Sequence, residues 1–364
     1  MSVIDIYNKN ENVNAKSLVG IDNGFGTIKI SSGNTNIKFP SIVGTPISEF
    51  SKAAPVASLD ELLDSLAITY NGNTYYIGHN AIVNTRNGKI SLRQNKAEDE
   101  QNRIKTMVAL ALLTKTEEVD ATFDIVCGLP VLEYRNQKDK LYNMYINGGK
   151  PFEFAMHYGN DIRLKRIHTR RVTVISQGEG CFYSYLLDSD GNIIPSRADK
   201  VSGTVMLCDV GFKTTDIVSM ENGRYIETLS DQLNNGVSQM HQEVLRLIME
   251  RLDIKKELKD IDVIVRSNEL FHNRRTYDMT KIIADAAQPY AENLVESLYT
   301  INNGDLGNLQ MILLTGGGAE ILYPYVKEAL DSIVNVVKLD NAEFSNSQGY
   351  YKYGELLQNQ GYFD

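Results

Sequence analysis

The chain has no tryptophan, few prolines and only three cysteines in 364 residues. Cys127, Cys181 and Cys208 stand far apart, each inside an apolar stretch, and none belongs to a Cys-x-x-Cys pair. That spacing argues against a zinc site or a disulfide framework and leads us to expect three reduced core thiols in a cytoplasmic protein. No run approaches the ~18 apolar residues that span a bilayer. Met1 to Lys16 is polar and Asn-rich, without the apolar centre of a secretory signal. It is expected to be a loose or strand-extending lead-in. Basic residues are outnumbered, and the net charge of −9 argues against a broad nucleic-acid-binding surface and against direct DNA contact. What remains is the composition of an ordinary globular protein, long enough for two domains.

One short pattern occurs twice. Asp22-Asn23-Gly24-Phe25-Gly26-Thr27 follows the apolar run Leu18 to Ile21, and Asp209-Val210-Gly211-Phe212-Lys213-Thr214 follows Val205 to Cys208. Each continues into a β-prone stretch, so each reads as a hairpin with a tight glycine turn and an Asp where the first strand ends. Glycine permits positive φ and brings backbone N–H groups close to an anion. Thr adds a hydroxyl donor. The Asp is suited to a hydrated Mg²⁺, which takes one or two carboxylates plus phosphate oxygens. Two such hairpins facing each other would clamp a nucleoside triphosphate. A single Asp-x-Gly turn is ordinary turn chemistry; two matching copies in strand contexts point to function.

The rest of the chain reads as two halves of one style. Asn36 to Phe39 is a third strand. Ser51 to Asp64 reads as a surface insertion. Asn71-Gly72 closes a hairpin between Ile68 and Gly78. Glu98 to Leu113 has helical spacing. Phe123 to Cys127 is a strand stopped by Gly128-Leu129-Pro130, and Leu132 to Tyr145 a helix. A hairpin from Phe152 to Ile167 and a separate strand from Arg171 to Ile175 come next, then a helix from Gly180 to Leu187. The turn Asp188 to Asn192 marks the boundary, giving domains 1–190 and 191–343, with a closing helix in 344–364 returning to the first. In the second half, strands are expected at 223–229, 261–265, 309–314 and 334–339. Helices are expected at 237–251, 279–298, 321–330 and 348–357. The whole is α/β with a duplicated core.

The order of these motifs resembles the actin superfamily, which includes actin, bacterial actin-like filament proteins, sugar kinases and heat-shock chaperone ATPases. That resemblance spans the chain from about Leu18 onward. It implies an actin-like fold of two ribonuclease-H-like domains with ATP and Mg²⁺ in the cleft between them. Asp22, Asn23, Gly24, Phe25 and Gly26 resemble the first phosphate loop, and Asp209, Gly211, Phe212, Lys213, Thr214 and Thr215 the second. Thr315-Gly316-Gly317-Gly318 is similar to the adenosine motif. Val172 to Gly180 resembles the first connecting segment, where Gln177, or failing it Glu179, would position the attacking water; both could instead cap the helix that follows. Leu233 to Val237 is similar to the second connecting segment, in which Gly236 opens a helix whose N–H groups would face the nucleotide. Lys29 would meet phosphate charge or simply be solvated. Asp22 and Asp209 would hold Mg²⁺ through water, with Asp209 also placed to accept a proton.

Two stretches resemble the plasmid-segregation actins of the ParM type: Cys127 to Tyr134, around Gly-Leu-Pro, and Phe344 to Gly354, rich in Asn, Gly and Tyr. This implies a nucleotide-hydrolysing protein that assembles head to tail and reaches DNA through a ParR-type adaptor. Lys255 to Arg275 matches no pattern, so the choice of ATP or GTP stays open. Two other readings also stay open. One is a small-molecule or sugar kinase with Glu179 or Asp216 as base; the other is a nucleotide-binding scaffold without turnover.

Overall fold

The computed structural model describes residues 17–47, 56–86, 89–90 and 99–362. The lead-in Met1 to Lys16, and Ser51 to Pro55 of the expected insertion, lie outside the described residues. Residues up to Ile194 together with Phe344 onward form one compact unit, and Pro195–Glu343 form the second.

The first unit begins with β1 (Leu18–Asn23), β2 (Thr27–Ser32), β3 (Thr35–Pro40) and β4 (Ile42–Gly44). Next come α1 (Leu59–Asp64), β5 (Ala67–Tyr70), β6 (Asn73–Ile77), α2 (His79–Asn84), β7 (Lys89–Ile90) and α3 (Glu100–Ala111). It continues through β8 (Asp120–Leu129), α4 (Val131–Ile146), β9 (Phe152–Tyr158), β10 (Asp161–Ser176) and α5 (Gln177–Leu186). Its strands form one sheet in the order β3-β2-β1-β8-β10-β9-β5-β6-β4-β7. β1 pairs antiparallel with β2 and parallel with β8, and β8 pairs parallel with β10. All six residues of β1 are buried, which is why it reads as an unbroken apolar run rather than an alternating one. Asn71 and Gly72 both take positive φ between β5 and β6, the tight hairpin their sequence calls for.

The second unit runs α6 (Pro195–Ala198), β11 (Thr204–Val210), β12 (Thr215–Glu221), β13 (Arg224–Leu233), α7 (Val237–Leu252) and α8 (Leu258–Ser267). It ends with β14 (Glu269–His272), β15 (Arg275–Asp278), α9 (Thr280–Ile301), β16 (Met311–Thr315), α10 (Ala319–Leu330) and β17 (Val336–Lys338). Its main sheet is ordered β13-β12-β11-β16-β17. β11 is antiparallel to β12 and parallel to β16, and β16 is parallel to β17. Three antiparallel strands followed by two parallel ones is also the arrangement of β3-β2-β1-β8-β10. The expected duplication is therefore present strand for strand.

Three expectations need correction. Ile261 to Val265 is not a strand but part of α8. Ile261, Ile264 and Val265 are buried while Val263 is 65% exposed, a helical repeat hidden in a short β-branched run. Glu257 and Asp260 close its start as a reciprocal capping box. The hairpin ending at Ile167 and the strand from Arg171 are likewise not separate, since β10 runs through both with a bulge between Thr169 and Arg171. The charged residues within β10 have partners. Lys165 is fully buried and donates to Thr114 Oγ1 and to the carbonyls of Lys115, Thr116 and Glu118. Arg166 pairs with Asp120. Finally, β14 and β15 form a hairpin of their own in a region where no strand was expected.

The closing helix, α11 (Ser345–Asn359), belongs to the first unit and lies on β1 and α5. Glycine makes this approach possible. A Cβ on Gly20 would run into the Ser347 carbonyl, and one on Gly349 into the Gly180 carbonyl. The Tyr350 ring covers both Gly128 and Gly180. The two stretches resembling plasmid-segregation actins, around Gly128 and around Tyr350, thus pack on each other. Cys181 Sγ donates to Asn346 Oδ1 (2.9 Å) and Tyr183 stacks on Tyr353 at 4.4 Å, adding polar and aromatic ties to the same seam. All three cysteines are buried, and none forms a disulfide.

Candidate functional site

In the first unit the repeated motif turns from β1 into β2. Ile21 to Asn23 are buried, Gly24 to Thr27 are half-buried, and Ile28 is buried again. Gly24 does not take positive φ, contrary to expectation. It is glycine for lack of room, because a Cβ there would lie 2.7 Å from the Thr27 carbonyl oxygen. The Gly26 carbonyl accepts the Ser41 N–H at 2.9 Å, tying the turn to the end of β3. Asp22 is 4% exposed. Across the hairpin Lys29 donates to its Oδ2 at 3.4 Å, and the Gln177 amide lies 3.5 Å from its Oδ1. Asn23 is turned inward beside the buried Tyr145 hydroxyl. Burial raises that phenol's pKa, so it stays protonated.

Gln177 is the first residue of α5, and Ser176 is its cap. Ser176 Oγ accepts the Glu179 N–H, and Glu179 Oε2 accepts the Ser176 N–H at 2.8 Å. Glu179 is therefore engaged as a cap rather than offered to a reacting group, while Gln177 faces Asp22. Of the two residues weighed for positioning water, only Gln177 reaches the turn.

In the second unit the copy turns from β11 into β12, and the burial pattern repeats: half-buried from Gly211 to Thr214, buried on either side. Gly211 again lacks positive φ, and a Cβ on it would sit 2.9 Å from the Thr214 carbonyl oxygen. The Gly of each copy thus packs under the carbonyl of its own Thr. Asp209 is 8% exposed. Its register partners are Asp216 on β12 and Thr315 on β16. Gly316 has φ +86°, and a Cβ there would collide with Asp209 Oδ1. Burial, with Asp209 and Asp216 nearby, pushes the Cys208 thiol's pKa up, so it stays protonated.

Two models of actin-like proteins match this chain. Residues 20–180 match the family described as actin-like proteins, N-terminal domain, and residues 207–328 that described as archaeal actin homologue MreB-like, C-terminal. Each stretch is similar to an actin-like family, and the two together span most of the chain. Among solved structures, a non-polymerisable quadruple mutant of pCBH ParM is 23% identical, with TM-score 0.72, covering 93% of this chain and 98% of its own. Alp7A, described as an actin-like protein, is 14% identical with TM-score 0.78, covering 95% and 97%. The archaeal actin homologue Ta0583, solved in complex with ADP, is 17% identical with TM-score 0.73, covering 93% and 99%. These likenesses are of fold. No curated protein matches the chain by sequence.

Within this actin-like fold, several candidates serve differently from their expectation. Thr215 is fully buried, and its hydroxyl donates to the Asn235 carbonyl at 2.6 Å. It pins the start of β12 instead of offering a donor to phosphate. Gly236 does open α7, but the N–H groups of Val237 and Ser238 are taken by the Gly211 and Phe212 carbonyls at 3.0 and 2.8 Å. The helix start props the turn, and a Cβ on Gly236 would lie 2.5 Å from the Phe212 carbonyl oxygen. Gly318 is a packing glycine too, pressed between Val210 and Val237. Gly317, with nothing within 4 Å of a built Cβ, is the one member of that motif open to a ligand. Lys29 is not simply solvated, since its ammonium sits on Asp22. Phe212 and Lys213 stay half-buried in the turn, with Phe212 edge-on to His241. Asp216, the kinase-base candidate, accepts from Gln232 Nε2 at 2.8 Å and is 3% exposed.

Among the described residues no three His, Cys, Asp or Glu side chains gather into a metal cage. Mg²⁺ carried by a nucleotide does not need one, since one or two carboxylates suffice beside phosphate oxygens and water. Asp22 and Asp209, each next to a half-buried glycine turn, suit that donor set. Among the described residues no helix is long and apolar enough to cross a membrane.

Proposed function

We propose that this actin-like protein binds and hydrolyses ATP with Mg²⁺ and assembles head to tail into a filament in the cytoplasm, most consistent with plasmid DNA segregation. The observation that carries the reading is the recurrence of one glycine turn, with Asp at the same strand end, on the same strand of two sheets of the same order. Both turns would serve one nucleotide. The backbone around Asn23, Gly24, Phe25 and Gly26, and around Gly211, Phe212, Lys213 and Thr214, would receive phosphate oxygens. Gly317 would admit the nucleoside, with Gly316 setting the turn against Asp209. Held through water by Asp22 and Asp209, Mg²⁺ would neutralise phosphate charge. Gln177 would orient the attacking water, which an amide can do, and Asp209 would accept its proton. A sugar kinase needs a free carboxylate base, and both candidates, Glu179 and Asp216, are engaged elsewhere. That supports hydrolysis. An acidic chain of −9 would reach DNA through a basic ParR-type adaptor rather than directly.

Light scattering of the purified chain tests the reading. Mg-ATP is expected to raise scattering above a critical concentration, with Mg-GTP reporting the base preference. A flat trace with nucleotide bound would return the kinase to first place. Gln177→Ala is expected to slow phosphate release about 10- to 100-fold with nucleotide affinity little changed, so that filaments persist. Unchanged turnover in this variant would remove Gln177 from the mechanism.

A further inference from the structure

The second unit carries a projection and a hollow of complementary chemistry. The projection is the β14–β15 hairpin, a two-stranded sheet joined to no other strand among the described residues. Its turn is Asn273-Arg274, with φ of +49° and +62°. A two-residue turn of this hand favours Asn-Gly, whereas an arginine in left-handed backbone is disfavoured. Strain retained at an exposed position is a pointer to function. Beside the turn Phe271 is 69% exposed, and Arg274 and Arg275 are exposed with no ion pair among the described residues.

The hollow lies between α9 and α10. It is an open groove of about 350 Å³ lined by Gln288, Ala291, Glu292, Tyr325, Glu328 and Ala329. Two alanines and a tyrosine ring supply apolar contact, and two exposed glutamates supply negative charge. Gln288 donates to Glu292 at 3.1 Å, but among the described residues no cation pairs with Glu292 or Glu328. None of the hairpin's residues lines the groove, so within one chain the two do not meet.

We propose that the hairpin of one copy docks in the α9–α10 groove of the next. Phe271 lies on Ala291, Ala329 and Tyr325, and Arg274 and Arg275 meet Glu292 and Glu328. This rests on the self-assembly part of the function proposed above. Two different patches on one molecule make a heterologous contact, and such a contact that does not close into a ring extends as a filament. An aromatic side chain and arginines are the residue types that anchor interfaces. Opposite charges steer copies that net charge would otherwise keep apart.

Charge exchange tests the docking. Arg274→Glu with Arg275→Glu, and separately Glu292→Arg with Glu328→Arg, should each raise the critical concentration in Mg-ATP at least about tenfold. Binding of a fluorescent ATP analogue should not change. All four substitutions in one chain should restore assembly. An equimolar mixture of the two double variants has two matched junctions, the native hairpin of one in the native groove of the other and the exchanged hairpin in the exchanged groove, so it should co-assemble into alternating filaments although neither variant assembles alone. Phe271→Ser should also weaken assembly, and Arg274→Gly should do so while folding at least as well as the parent. Double variants that assemble like the parent, or a fourfold variant that stays monomeric, would overturn the docking. Should the parent chain bind nucleotide yet never assemble, the filament reading falls. The docking, a contact of that filament, falls with it, whereas a parent that assembles beside double variants that assemble equally well overturns the docking alone.

Discussion

Asp209→Ala is expected to lower phosphate release at least about a hundredfold, because charge stabilisation around a transferring phosphoryl group is worth several kcal/mol. The position explains why the effect should be functional rather than structural. Asp209 stands near the end of a buried strand, with the carboxylate against the Cβ-less face of Gly316, and only 8% of it is exposed. Its register partner is Asp216. Like charges directly opposite on a sheet repel, so removing one of them should leave stability within about 1 kcal/mol of the parent. Asp209→Asn supplies the control, keeping the shape over Gly316 and removing only the charge. Both variants are expected to melt near the parent and to lose turnover alike. An asparagine variant with normal turnover would show that shape, and not charge, is what this position supplies.

Much of the architecture could be read from the sequence because the two glycine turns repeat, and a repeat survives where single-turn signals are ambiguous. What could not be read was why the glycines are there. Gly24 and Gly211 are spaced by a carbonyl three residues on, and Gly236 by the second turn. These are contacts between backbone segments, and they leave no periodic trace. Thr215 looked like a phosphate donor because hydroxyls near glycine turns often are, but its partner, the Asn235 carbonyl, is twenty residues away. α8 was misread for a different reason, since a five-residue stretch with four β-branched residues has the composition of a strand and only its burial reveals helical spacing. The β14–β15 hairpin was missed because its turn carries Arg274 where a sequence reading looks for glycine. The capping reading of Glu179 was legible, since Ser-x-x-Glu before an apolar run is a capping signature and Glu179 fulfils it.

Gly349→Ala is expected to be the most damaging small substitution in the first unit, by about 3 kcal/mol or more. The added methyl would not meet a side chain that can swing aside; it would meet the Gly180 carbonyl, with the Ser184 nitrogen 3.0 Å away on the next turn of the same helix. Relief therefore requires α11 to lift from α5. α11 cannot lift alone, because Tyr350 is buried over Gly128 and Gly180, Ser347 Oγ is 2.8 Å from Ser31 Oγ, and Lys352 Nζ donates to the Ser184 carbonyl at 2.7 Å. Displacing it disturbs β1, whose end carries Asp22, and α5, whose start carries Gln177. Thermal stability and turnover should thus fall together, although no atom of residue 349 belongs to the candidate site. Gly317→Ala is the matched comparison, with nothing within 4 Å of its Cβ. Its melting temperature should stay at the parent value while nucleotide affinity falls. If Gly349→Ala melted like the parent, α11 could not be seated on α5 as described, and the link between the closing helix and Gln177 would be lost with it.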